Sequence, residues 1–261
     1  MSLIMSSPAG ELLELYGDGS LRLAGRAMVL AADLHLGKAE RFQQAGIAVP
    51  STGLSALDRL GARCREHGDR PVILGDLIHA GSSLTEGIAA GLAAWAQAVR
   101  AAQADGLAPI LVRGNHDRVS NRRWEELGFL VREGSLEFDG LTLRHAADRL
   151  EAAGAGAEAA AGGRAGAEAA AGAGAAAGSG GVSGSPAAGF TISGHLHPVV
   201  SLRRGRERLR VPVFLVSATD LVLPAFGPFT GGFRVDRRRG SGWRIFAAGG
   251  GEVQEVPPRL L

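Results

Sequence analysis

Seven side chains of this 261-residue chain, Asp33, His35, Asp76, Asn115, His145, His195 and His197, each sit just after a short apolar run. The runs are AMVLAADLHLG, RPVILGDLIHAG, PILVRGNHDR, LTLRHA and FTISGHLHP, and every one of them delivers Asp, Asn or His where the apolar residues stop. Oxygen and imidazole donors without a thiolate suit Mn²⁺, Fe²⁺ or Zn²⁺, and seven are more than one ion normally takes from a protein. Two ions fit better. If one carboxylate bridges them they stand about 3.5–4 Å apart, and such a pair can bind phosphate oxygens, generate hydroxide near neutral pH and stabilise transition-state charge.

The spacing supports this reading without proving it at any single position. Asp33 and His35 are two residues apart, as are His195 and His197, so each pair can point one way as a strand ends. Gly75, Gly114 and Gly194 permit tight turns and close approach to a ligand. A lone histidine such as His145 is more often a hydrogen-bonded structural residue, and Gly-Asp after a strand is a common turn. The ordered series of five endings is what chance does not readily produce, because ligands of open α/β sheets lie at the carboxyl ends of strands.

The elements that must present these donors follow from the apolar pattern. LLELYGDGSLRL alternates around a Gly-Asp-Gly turn and predicts a β-hairpin within 11–23, preceded by a frayed start over 1–10. Strands are expected at 27–32, around Val72 to Leu74, and at 109–112, with helices at 52–67, where Leu54, Leu57, Leu60 and Ala62 give an apolar face, and at 84–103, anchored by Trp95. GKAERFQQAGIAVPS reads as a polar loop or short helix near the mouth of the site. A short helix at 121–127 leads to strands at 130–138 and 141–144, and VVSLRR with LRVPVFLVS, then FRVDRRRGSGWRIFAA, read as two further hairpins. Residues 151–189 are an Ala/Gly/Ser tract with almost nothing large to bury, expected as a weakly helical or disordered insertion within one domain spanning 1–261.

Composition bounds the rest. The length allows a substantial core, and the single cysteine, Cys64, cannot form an internal disulfide, so a packed thiol in a reducing cytoplasm is the expectation. No run of eighteen apolar residues occurs and no membrane partner is expected. Net charge is only +2, but Lys38 is the sole lysine, and Arg203, Arg204, Arg206, Arg208 and Arg210 crowd one stretch, with Arg234, Arg237, Arg238 and Arg239 in another. Such clusters can bind phosphates, although solvated hairpins are the commoner explanation.

DLH, GD, GNHD, a lone His and GHLH, in this order, resemble the calcineurin-like metallophosphoesterases, and DLHLGKAERFQQAGIAVP, GDLIHAG and LVLPAFGPFTGG resemble their bacterial ligase-associated DNA-damage-response branch. The resemblance covers most of the chain outside the insertion. It implies a four-layer α/β/β/α sandwich, two divalent ions, usually Mn²⁺, and DNA endonuclease activity in repair, with DNA ligase and helicase proteins as partners. It also implies that Asp33, His35 and His197 join a bridging Asp76 around one ion, while Asn115, His145 and His195 join it around the other. His116 would then face the substrate phosphate, and Asp117 would orient His116, unless it caps a helix. Single-stranded or flexible DNA is the expected substrate and a homodimer a further expectation. His79, Lys38 and Arg41 lie near enough in sequence to meet phosphate, with surface roles equally open. The protein phosphatases of the superfamily carry GDxxDRG and GNHE where this chain has GDLIHAG and GNHD, which disfavours a phosphoprotein substrate. A nucleotide phosphatase or diesterase on the same ions is the alternative, and a non-catalytic scaffold a third reading disfavoured by the complete donor set.

Overall fold

The computed structural model describes residues 2–50, 54–79, 84–146, 189–204, 207–228, 230–236 and 241–261. The Ala/Gly tract except Gly189 lies outside the described residues, as do Arg206 and Arg237 to Arg239.

The first sheet takes its strands in chain order: β1 (Leu3–Ser6), β2 (Leu12–Leu15), β3 (Leu21–Leu23), β4 (Met28–Ala31), β5 (Arg70–Leu74), β6 (Ile110–Val112) and β7 (Leu130–Arg132). β1 to β4 are antiparallel, and β2 with β3 is the expected hairpin, its turn held by Asp18 accepting the Ser20 N–H at 3.0 Å. The expected frayed start is corrected by β1, which pairs Leu3 with Leu15 and packs Leu3 and Met5 toward the core. A four-residue alternation is too short a signal to separate from noise in sequence.

β4 to β7 are parallel, so their carboxyl ends share one edge. α1 (Lys38–Gln44) and α2 (Ser55–His67) follow β4, α3 (Glu86–Ala101) follows β5, and α4 (Asn121–Glu126) follows β6. These strands are covered on both faces, which is why they read as continuous apolar runs. Val29, Ala31, Ile73 and Leu111 meet the helices, while Leu30, Ala32, Val72, Leu74, Ile110 and Val112 meet the second sheet. The buried face of α2 runs through Leu57, Leu60, Gly61 and Cys64, with Ala62 exposed. Gly61 leaves room for Trp95, whose indole N–H donates to the Leu57 carbonyl at 2.7 Å and whose ring stacks on Phe129. Cys64 is buried, and burial pushes its thiol up to about 12, as suits a packed rather than a reactive sulfur.

The second sheet holds β8 (Ser135–Phe138), β9 (Leu141–Arg144), β10 (Phe190–Ser193), β11 (Pro198–Arg204), β12 (Glu207–Val216), β13 (Asp220–Val222) and β14 (Phe233–Arg234), in the order β14-β11-β12-β13-β10-β9-β8. β15 (Arg244–Gly249) pairs with β12 and with β16 (Glu252–Glu255). Two expectations change here. The segment 130–138 divides at Gly134, φ +74°, so that β7 closes the first sheet and β8 opens the second. The expected hairpin over 233–248 is not seen among the described residues: β14 runs parallel to β11, and the hairpin is β15 with β16.

The two sheets face each other across a core in which Leu13, Leu23, Leu30 and Val72 meet Leu143, Phe190, Ile192, Phe214 and Phe246. On the far side of the second sheet, Val200, Val213, Leu215 and Ile245 pack with Leu196, Val235 and Val256. Two multi-stranded sheets with flanking helices form the expected mixed α/β sandwich class, and the helices among the described residues that pack into a core do so against the first sheet. No helix among the described residues is long and apolar enough to cross a membrane.

Trp95→Phe removes the bond to Leu57 and some ring volume. Its unfolding free energy in urea is expected to fall by about 1–3 kcal/mol, with the far-UV circular dichroism of the folded protein unchanged.

Candidate metal centre

The donors lie one to four residues beyond the ends of β4, β5, β6, β9 and β10. Asp33 (φ 57°), His35 (φ 48°), Asp76 (φ 48°), His195 (φ 69°) and His197 (φ 50°) all adopt left-handed backbone. The two-residue spacing therefore works differently from the expected strand alternation. In each turn two left-handed residues flank a buried leucine, Leu34 or Leu196, and the two turns bring His35 and His197 together. Each such non-glycine residue costs about 1–3 kcal/mol, a strain sustained only where the surroundings impose it. Here backbone bonds impose it: Asp33 N–H donates to Gly75 O at 3.1 Å, His35 N–H to Asp76 O at 2.9 Å and Gly194 N–H to His145 O at 2.9 Å.

Two groups of ligand atoms result. Asp33, His35 and His197 form one and Asp76, His145 and His195 the other, the atoms within each lying within 4.8 Å of one another. In the first, His35 Nε2 and His197 Nε2 face each other at 3.4 Å and His197 Nε2 lies 3.2 Å from Asp33 Oδ1. In the second, His145 Nε2 lies 2.9 Å from His195 Nδ1 and 3.1 Å from Asn115 Oδ1, which brings the exposed Asn115 to this group. The His145 ring is oriented from behind by Leu74 O, 3.0 Å from Nδ1.

Asp76 stands between the groups. Its Oδ1 is 3.6 Å from His145 Nε2 and accepts the His116 N–H at 3.0 Å, while its Oδ2 is 3.9 Å from His35 Nε2 and 3.8 Å from His116 Nε2. One carboxylate thus turns an oxygen to each side.

Electrostatics favour ligand-ready forms. Burial opposes charge on Asp33, but the imidazoles of His197, His145 and His35 outweigh it and hold the carboxyl down to about 2. Burial, against the pull of Asp33, pushes His35 down to about 3, so its imidazole is neutral at pH 7. His197 is raised instead, because Asp33 beside it overcomes the cost of its burial.

The neighbouring residues divide. His116 is half-buried with its ring 5.8 Å from that of His35, and its Nδ1 is buried without a hydrogen-bond partner. Among the described residues no hydrogen bond joins the Asp117 carboxylate to the His116 ring, and the first turn of α4 is capped by Ser120 rather than Asp117. Its Oδ1 accepts the Ile78 N–H at 3.2 Å and its Oδ2 the Gly114 N–H at 2.9 Å, tying the Asp76 turn to the Asn115 turn. Burial, helped by Asp76 and opposed by those two amides, pushes Asp117 up to about 6. His79 packs edge-on to His35 at 5.7 Å and is pushed down to about 4 by burial, then by the charges of Lys38, His116 and Arg41.

Close backbone approach explains the glycines. A Cβ on Gly75 would lie 2.2 Å from His145 Nδ1, one on Gly114 2.3 Å from Asp76 Oδ1, and one on Gly194 2.8 Å from Asp33 Oδ2. Gly227, in the LVLPAFGPFTGG segment, was not singled out from sequence. Its N–H donates to Asp33 O at 3.1 Å, Phe226 N–H donates to Ala32 O at 2.8 Å, and Phe233 N–H donates to His197 O at 3.1 Å, so this segment braces both turns of the first group.

The groups fit divalent cations on their own chemistry. Asp33 Oδ1 is buried without a hydrogen bond, and the two facing Nε2 atoms cannot both donate to each other, so a cation is what would satisfy all three. Residues 28–158, half of the chain, match the calcineurin-like phosphoesterase family. The chain belongs to the calcineurin-like phosphoesterases. This family uses divalent metals, and the protein is accordingly a metal-dependent hydrolase. Among solved structures, the crystal structure of Pseudomonas putida nuclease MPE is similar with a TM-score of 0.68 and 25% identity, covering 98% of this chain and 100% of that one. A protein of unknown function from Aquifex aeolicus is similar over 46% of this chain and 60% of its own, at 18% identity and a TM-score of 0.31. No curated protein matches.

For this phosphoesterase, Gly227→Ala sets a Cβ 2.0 Å from Leu34 O and 3.0 Å from Asp33 O. The Asp33 turn must move, so hydrolysis of bis(p-nitrophenyl) phosphate is expected to fall more than about tenfold, with weaker Mn²⁺ binding by calorimetry. Gly231→Ala, whose Cβ meets nothing within 4 Å, is expected to leave both unchanged.

Proposed function

We propose that this phosphoesterase is a DNA nuclease that hydrolyses phosphodiesters in single-stranded or flexible DNA with two divalent ions, manganese by preference. The observation that carries the reading is the meeting of two donor groups on the two oxygens of Asp76. Similarity to the Pseudomonas putida nuclease along the whole of both chains supports the choice of nucleic acid. Asp33, His35, His197 and Asp76 would hold one ion, and Asn115, His145, His195 and Asp76 the other. A donor set of oxygen and imidazole without thiolate suits manganese. Bound there, the ions would supply Lewis acidity toward the phosphoryl oxygens and would lower the pKa of a coordinated water.

The protein's own side chains do the rest. Asp76, fixed by the His116 N–H, sets the spacing of the two halves. His116 presents Nε2 over the Asp76 side that faces His35, where it stabilises charge on the phosphoryl group and gives a proton to the leaving oxygen. The bond from water oxygen to phosphorus forms as the bond to the leaving oxygen breaks, giving one hydroxyl and one phosphate end. Asp117 keeps the turns bearing Asp76 and Asn115 in register through Ile78 and Gly114.

A cationic ribbon supports a polymeric substrate. β11 leaves the site directly after His197, and its pairing with β12 sets Arg203 opposite Arg208 and Ser201 opposite Arg210, with Arg208 and Arg210 exposed. The exposed guanidinium groups of Arg208 and Arg210 on this strand suit the phosphates of a polyanion. At about 3.3 Å per residue the ribbon tip stands about 20 Å from His197, a reach that suits phosphates well outside the cleaved bond. A role in DNA repair beside ligase and helicase proteins, in the cytoplasm, rests on the resemblance of the DLHLGKAERFQQAGIAVP and LVLPAFGPFTGG segments.

The test is a metal-by-substrate matrix on pure protein. Mn²⁺ is expected to support nicking of single-stranded circular DNA, with chelation abolishing it and Asp76→Ala lowering it at least about a hundredfold. Nicking that persists in Asp76→Ala contradicts the reading, as does rapid turnover of nucleotides with DNA neither bound nor cut. The double variant Arg208→Ala, Arg210→Ala is expected to bind long oligonucleotides more weakly, with a log–log salt slope shallower by about one to two.

A further inference from the structure

We propose that Lys38 and His79 form a second phosphate subsite beside the metal centre, taking the phosphate next to the one being cleaved. The proposal rests on the nuclease reading, and it adds a requirement that a small diester cannot meet.

Lys38 is the only lysine in a chain whose other 27 basic residues, of 28 in all, are arginine. Where every other basic position is arginine, a lysine keeps what arginine lacks, a compact ammonium with three freely rotating donors. Lys38 is half-buried at the start of α1, and its backbone N–H donates to His35 O at 3.3 Å, which fixes it next to the first donor group. Its charge acts on both His35 and His79, which places the ammonium beside the first donor group.

His79 arrives from the other side of the same ladder. Leu36 bridges to Ile78 in parallel register, and the His79 N–H donates to Leu36 O at 2.9 Å, so the residues just after Leu36 and Ile78 leave the sheet together. The His79 ring stands edge-on to His35, 72° between planes, and its Nδ1 is buried without a hydrogen-bond partner. The charged groups acting on His79 are Lys38, His116 and Arg41, all basic. Asp76 faces His35 and His116 within the metal centre, whereas Lys38, which presses His79 toward its neutral form, brings a positive charge to the edge of that centre. The partner that completes such a cluster is an anion, and for a polynucleotide that anion is the adjoining phosphate.

The assay compares oligothymidylate, which carries adjoining phosphates, with bis(p-nitrophenyl) phosphate, which has one. Lys38→Ala is expected to lower kcat/KM on the oligonucleotide at least about tenfold more than on the small diester, mostly through KM. Anisotropy of labelled oligothymidylate in chelator, with no metal present, is expected to show weaker binding by Lys38→Ala and a shallower salt slope. Lys38→Arg, which keeps the charge but not the compact ammonium, is expected to restore the binding in chelator but only part of kcat/KM, and His79→Ala shifts both the same way as Lys38→Ala to a smaller extent. An equal loss on the two substrates, or unchanged oligonucleotide kinetics and binding, overturns the subsite while leaving the nuclease reading standing. A wild-type protein that hydrolyses the small diester but neither binds nor cuts oligothymidylate overturns the nuclease reading itself.

Discussion

Both sheets contribute to each group of donors, and one carboxylate has to serve both groups. Asp33, His35 and Asp76 come from turns after β4 and β5 of the first sheet, and His145 and His195 from turns after β9 and β10 of the second. His145 and His195 reach Asp76 only because the sheets pack face to face through a core of large side chains, Phe190, Phe214 and Phe246 among them. The core between the sheets and the site at their edge are therefore one design. Moving one sheet against the other changes which oxygen of Asp76 faces which imidazole.

The local means of meeting that constraint is strain. Five of the site's donors hold left-handed backbone that only glycine adopts at no steric cost, and three glycines stand where any Cβ would strike His145, Asp76 or Asp33. What keeps the strained turns in place is a set of bonds that cross between them: Asp33 to Gly75, His35 to Asp76, Gly194 to His145, and Gly227 to Asp33. Because each turn is held by another, the donor arrangement is fixed before any ion arrives. Such preorganisation is what a metal site needs to place its ligands precisely.

Much of this was legible in the chain. Apolar runs that end in Asp, Asn or His pointed to the strand ends and to the seven side chains that gather there, because a strand buried on both faces has an unmistakable pattern and its end is where a side chain can leave the core. The reason the DLH and HLH pairs converge was not legible. Spacing suggests strand alternation, whereas the backbone has already left the strand and turned left-handed at both members. The role of Asp117 escaped for a related reason: its partners are the amides of Ile78 and Gly114, which no side-chain pattern announces. Long-range pairing hid the rest. The short β1, the division of 130–138 between two sheets at Gly134, and the parallel seating of β14 on β11 depend on partners remote in sequence.

The most direct measurement is anomalous scattering from crystals grown with Mn²⁺ and recorded on both sides of the manganese edge. Two peaks flanking the Asp76 carboxylate, one toward Asp33, His35 and His197 and the other toward Asn115, His145 and His195, are the expected result. A single peak, or two that do not share Asp76, would contradict the account.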